Sequence, residues 1–122
     1  MIYDNIPGID AKIVYELYED SEEVFLSVLR SWVNGASAYV AKLRGVSAET
    51  LKDYAVSVHG LKGSSAGIGA ETIRAKAKEL EMAAKAGNLA GVQADNEPFL
   101  KQVEAQIKTV QDWLKKYDAS KA

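Results

Sequence analysis

The chain has 122 residues, 48% apolar and 26% charged, with one His and no Cys, and at this length a single domain buries roughly two-thirds of its unfolded surface without help from disulfides or metal. Fifteen basic against seventeen acidic residues leave a net charge of −2 with both signs interspersed, so no electrostatic footprint for nucleic acid is present. A zinc or iron site would have to be built almost wholly of carboxylates, and no metal site or cofactor is expected. No stretch approaches the ~20 apolar residues of a membrane span, and Met1 to Pro7 lacks the basic and apolar regions of a signal peptide. The expectation is a cytoplasmic protein that does not engage membranes.

The leading segment, residues 1–9, precedes Asp10, a candidate N-cap for a short helix with Ile13, Val14, Leu17 and Tyr18 as its apolar stripe. Asp20, Ser21, Glu22 and Glu23 supply caps and first-turn acids for a second helix. Its stripe is Phe25, Leu29, Trp32, Ala36, Tyr39, Val40 and Leu43, and Gly45 ends it. Ser47 is placed to cap a third helix with Leu51, Tyr54, Val58, Leu61, Ser65 and Ile68 on one face, closing at Gly67-Ile68-Gly69.

The fourth helix starts near Ala70, carries Ile73, Ala77, Leu80 and Ala84, and stops at Gly87-Asn88. From Leu89 a last helix runs to Tyr117, with a kink or restart expected at Pro98 and a frayed tail over 118–122. No segment alternates as a strand does. Four long amphipathic segments with short connections must bury their stripes against one another. The spacing therefore predicts an all-α antiparallel four-helix bundle with a short extra N-terminal helix, forming one domain over 1–122.

On a helical wheel the only histidine, His59, lies about 140° from the centre of the third helix's core stripe. Lys62, Gly63 and Ala66 share its flank. Gly60 and Gly63 each cost about 1 kcal/mol against Ala inside a helix, which calls for a local reason. Beside an exposed imidazole, Gly63 removes bulk from the approach to the ring, whereas Gly60 faces elsewhere and fits close packing of a neighbouring helix. Ser65 points into the stripe as a small core residue.

The run His59-Gly60-Leu61-Lys62-Gly63-Ser64-Ser65-Ala66-Gly67-Ile68-Gly69-Ala70 resembles the signature of histidine-containing phosphotransfer (Hpt) domains of bacterial two-component phosphorelays. Leu80-Glu81 with its following Ala-rich turn, Gly87, and the opening Ile6-Pro7-Gly8-Ile9-Asp10 extend the likeness over nearly the whole chain. The resemblance implies a phosphohistidine carrier without kinase activity of its own. His59 would accept a phosphoryl group from a receiver-domain aspartate and pass it to another receiver.

The same resemblance implies that Lys62 stabilises phosphoryl charge and that Gly63, Ser64 and Ala66 line the binding face. Glu81 would orient the imidazole through Nδ1, although counting outward from Ile68 leaves it about one turn out of level with His59. The implied partners are receiver domains of response regulators or hybrid sensor kinases, engaged by a monomer, and the Mg2+ needed for transfer would come from the receiver. Two alternatives stand beside this reading: a helical docking module that binds a response regulator without phosphotransfer, and the substrate domain of a histidine kinase. No nucleotide loop is present, because Ala70-Glu71 follow Gly69 where the phosphate-binding pattern requires Lys-Ser/Thr.

Overall fold

The computed structural model describes residues 1–122 and contains five α-helices and no strand: α1 (Ala11–Tyr18), α2 (Glu22–Leu43), α3 (Leu51–Ala66), α4 (Glu71–Lys85) and α5 (Leu89–Lys121). A 3₁₀ turn, Ile2–Asn5, precedes them. Asp10 caps α1, its side chain accepting from the backbone amides of Lys12 and Ile13. Gly69 turns the chain between α3 and α4 at φ +72°, where a Cβ would press on Val14 and the Asp10 backbone, so only glycine fits there.

The four long helices form a closed ring in which α2 packs on α3, α3 on α4, α4 on α5 and α5 on α2. Cross-helix pairs fix the antiparallel directions. Arg44 at the end of α2 meets Glu97 and Glu104 early in α5, while Arg30 grips Asp118 near the α5 C-terminus through two hydrogen bonds of 2.6 and 3.0 Å. The enclosed core is one cluster of 29 buried apolar side chains. Its polar members are satisfied: Asn96 accepts from the Tyr54 hydroxyl at 2.8 Å and donates to the Leu43 carbonyl at 2.8 Å.

With 33 residues, α5 is about 50 Å long against about 22 Å for the 15 residues of α4, so it outruns its neighbour. The N-terminal segment and α1 cover the end left open. The Asp10 amide donates to the Gly69 carbonyl at 2.8 Å, the Tyr18 hydroxyl to the Gly67 carbonyl at 2.7 Å, and Gln106 to the Pro7 carbonyl at 2.9 Å. Tyr3 and Ile6 are buried, and the Tyr3 ring stands edge-on to Phe25 at 5.0 Å. These contacts brace the α3–α4 turn from outside the bundle.

Several expectations are corrected. Leu17 is 55% exposed, because α1 touches the bundle only through a narrow stripe centred on Val14. Ser47 does not cap α3. It sits in a turn whose amide bonds the Thr50 hydroxyl, and α3 starts at Leu51. Pro98 does not restart the last helix: the ring sits on the exposed face, where water can satisfy the freed Ala94 carbonyl, while Phe99 and Leu100 anchor the next turn in the core. The tail is helical to Lys121 where fraying is expected, with Asp118 tied to α2.

Candidate functional site

The site is built on the outward flank of α3 and the adjacent edge of α4. Val58 and Leu61 are fully buried, which turns His59 and Lys62 to the flank. The His59 side chain is 63% exposed and that of Lys62 26%. Gly63 is exposed, and a Cβ built there meets nothing within 4 Å, so the space beside the imidazole is open. At Gly60 a Cβ would collide with the Tyr39 hydroxyl of α2; this glycine serves helix packing, as its position on the wheel implies.

Ser65 is fully buried and accepts the Trp32 indole N–H at 3.2 Å. Ser64, though exposed, turns its hydroxyl back to the Leu61 carbonyl, and Ala66 is half-buried one turn beyond Gly63.

Glu81 of α4 joins these residues. Its side chain is only 4% exposed, yet both carboxylate oxygens are used. Oε2 lies 2.7 Å from His59 Nδ1 and 2.8 Å from Lys85 Nζ, while Oε1 accepts from Lys62 Nζ at 2.6 Å. The lysine hydrogen bonds, then that of His59, outweigh burial and hold this carboxyl at about 2, against an ordinary value of 4.5. A carboxylate in that state only accepts hydrogen bonds, so Nδ1 must be the donor. In the neutral ring Nε2 then carries the lone pair and is the nitrogen not engaged by Glu81, on a side chain 63% exposed.

The expected offset between Glu81 and His59 is bridged. The α3–α4 connection covers residues 67–70, so its midpoint lies beyond Ile68 and the mismatch shrinks to three residues, about 4.5 Å of helix rise. Two extended side chains span that distance. Lys85 escapes the motif-based reading, and its signal in the sequence is the Glu81–Lys85 spacing of four, Glu first, which brings opposite charges together on a helix. Val56, 72% exposed, lines the same shallow hollow as His59, Glu81 and Lys85, and Met82, 62% exposed, follows Glu81 on α4. No group of three or more His, Asp or Glu side chains is arranged to hold a metal ion, and no helix is long and apolar enough to cross a membrane.

Comparison with known proteins matches the chain to one family. A family model described as the Hpt domain matches residues 14–113, most of the chain, with His59, Lys62 and Glu81 inside the match. The chain is also 26% identical over 110 residues to the phosphorelay intermediate protein rdeA of Dictyostelium discoideum. That alignment covers 89% of this chain and 43% of the relative, so the chain spans less than half the length of the curated protein it matches. No solved structure matches.

Proposed function

Because the chain belongs to the Hpt domain family, we propose that it is a phosphorelay intermediate in which His59 Nε2 takes a phosphoryl group from a receiver aspartyl phosphate and passes it to a second receiver. The observation that carries this reading is the 2.7 Å contact between His59 Nδ1 and the buried Glu81 carboxylate, made while most of the ring stays in solvent. A docking module without transfer has no use for an imidazole held in this way. In the transfer, the Nε2 lone pair forms a bond to phosphorus as the bond from phosphorus to the aspartate oxygen breaks, and the electron pair leaves with the receiver's carboxylate. Nε2 sheds no proton, because the ring proton sits on Nδ1, held there in its hydrogen bond to Glu81.

Lys62 lies one helical turn from His59 and contributes positive charge near the phosphoryl oxygens. Gly63 leaves room for the incoming receiver. Ser64 and Ala66 extend the same face, with Val56 and Met82 giving the receiver apolar surface to cover. The partners are receiver domains of response regulators or hybrid sensors, which bring their own Mg2+. The protein acts as a monomer in the cytoplasm.

The test is His59→Gln incubated with a phosphorylated receiver. Acid-labile, alkali-stable labelling should vanish, while circular dichroism and the melting transition stay within about 0.5 kcal/mol of wild type, as for an exposed site. Labelling that survives in the variant removes His59 as acceptor.

A further inference from the structure

Glu81 Oε2 is shared. His59 Nδ1 and Lys85 Nζ approach this one oxygen at 2.7 and 2.8 Å, so the two nitrogens stand no more than about 5.5 Å apart. Lys62 occupies the other oxygen from α3 and is mostly covered, whereas Lys85 reaches over from the next turn of α4 with 65% of its side chain in solvent. We infer that Lys85 is a positioning residue that sets the lifetime of the phosphoryl group on His59 by competing for the oxygen to which the ring donates. This inference rests on the phosphotransfer reading of the same site.

The chemistry follows the Nδ1 proton. Attack by Nε2 leaves a phosphoimidazolium ring that still carries Nδ1–H and is therefore cationic. In that form the ring is a good leaving group. Water attacks phosphorus, the P–N electron pair returns to Nε2, neutral imidazole departs and the proton from water passes to solvent. When Nδ1 gives up its proton, the neutral ring leaves less readily and the phosphoramidate persists. An unshared Glu81 carboxylate would hold the Nδ1 proton on the ring, and each ammonium on that carboxylate weakens the hold.

The charges facing the ring come from few sources. On α3 these are Lys62 and, two turns upstream, Lys52. On α4 they are Glu81, Lys85 and, one turn before Glu81, the exposed Lys78. From α2, Tyr39 lies against Gly60 with Lys42 over its ring, and on α5 Asp95 is paired with Lys76 of α4. Lys85 is the one cation on the His59-facing oxygen, and its exposure lets it be replaced without disturbing the core.

The experiment uses the full chain as wild type, Lys85→Met and Lys85→Arg, each phosphorylated with phosphoramidate, freed of donor, and followed by 31P NMR from acid to alkaline pH. In Lys85→Met the short-lived, ring-protonated form should persist to higher pH, its midpoint raised by about one pH unit. At neutral pH its phosphoryl half-life should shorten by up to about tenfold. Lys85→Arg keeps the charge and should reproduce the wild-type profile. A methionine profile that coincides with wild type or moves to lower pH overturns the role of Lys85. If wild type takes no label on His59 from either phosphoramidate or a phosphorylated receiver, the phosphotransfer reading fails first and this inference falls with it.

Discussion

Two polar clusters involve α3, and each is organised by one buried residue from a neighbouring helix. Toward α5, Asn96 is 3% exposed and joins the Tyr54 hydroxyl to the Leu43 carbonyl, all neutral and all covered. Toward α4, Glu81 is equally buried but its partners, His59, Lys62 and Lys85, reach out to solvent. In the first cluster every donor and acceptor is matched inside the core, and burial pushes the Tyr54 phenol well above its ordinary value, so nothing titrates or moves near neutral pH. In the second, a fixed anion holds groups that keep a free face. Closed polar networks fasten helices, whereas a buried anion with exposed partners orients a reactive atom and leaves it accessible.

The sharpest way to break this contrast is to close the open cluster without touching its charges. Gly63→Leu places a branched side chain one turn from His59, where the space is now empty. Transfer from a phosphorylated receiver should fall by about tenfold or more, while the melting temperature holds or rises, since leucine gains up to about 1 kcal/mol in helix propensity over glycine. Labelling by phosphoramidate, which needs less room, should suffer less. Transfer at the wild-type rate would mean that the receiver does not approach over this face.

Opening the closed cluster should do the reverse. Asn96→Ala strands the Tyr54 hydroxyl and the Leu43 carbonyl in the core, and the expected cost is about 2–3 kcal/mol in chemical denaturation. The phosphorylation rate of the protein that remains folded should not change. A loss below about 0.5 kcal/mol would show that water enters and replaces the amide, and that the cluster is not sealed.

Both clusters were partly legible in the sequence, for different reasons. The flank position of His59 followed from the helical period alone, because Val58 and Leu61 fix which way α3 faces. Asn96 stands four residues after Val92 and four before Leu100, so the same period puts it in the core, where a polar residue at a stripe position marks a satisfied buried group. The resemblance points to Glu81, but its contact with His59 depends on where the α3–α4 turn centres, which residue counting sets only to within a turn. Tyr3 and Ile6 precede any periodic segment, and their burial depends on α5 outrunning α4, a property of the assembled bundle that no local pattern carries.

Acid should separate the two clusters without mutation. The folded Glu81 carboxyl sits at about 2 and its ordinary value is 4.5, so between these limits the unfolded chain binds the extra proton. The stabilisation from Glu81 is therefore fully present above about pH 4.5 and is lost as pH falls toward about 2. Allowing for screening at its exposed partners, wild type should lose about 2 kcal/mol more than Glu81→Gln across that window in urea titrations. The Asn96 cluster contains no group that titrates there. Parallel acid curves for wild type and Glu81→Gln would show that the carboxylate is not held by its lysines in solution.

The smallest effect expected is that of Lys62→Ala, and it tests whether the open cluster tolerates losing a member. Lys62 is the most covered of the cations around Glu81, so its removal costs more than that of a surface lysine, yet Glu81 keeps Lys85 and the imidazole and is not stranded. The stability change should be about 1 kcal/mol, below that of Asn96→Ala, where the partners left behind have no replacement. Alanine also restores a few tenths of a kcal/mol in helix propensity, which pulls the figure down further. Transfer from a phosphorylated receiver should slow a few-fold, because a cation beside the developing phosphoryl charge is gone while Nε2 keeps its aim. Unchanged transfer together with the same loss of stability would confine Lys62 to holding Glu81. A slowing that Lys62→Arg reverses would assign the effect to charge at the phosphoryl group.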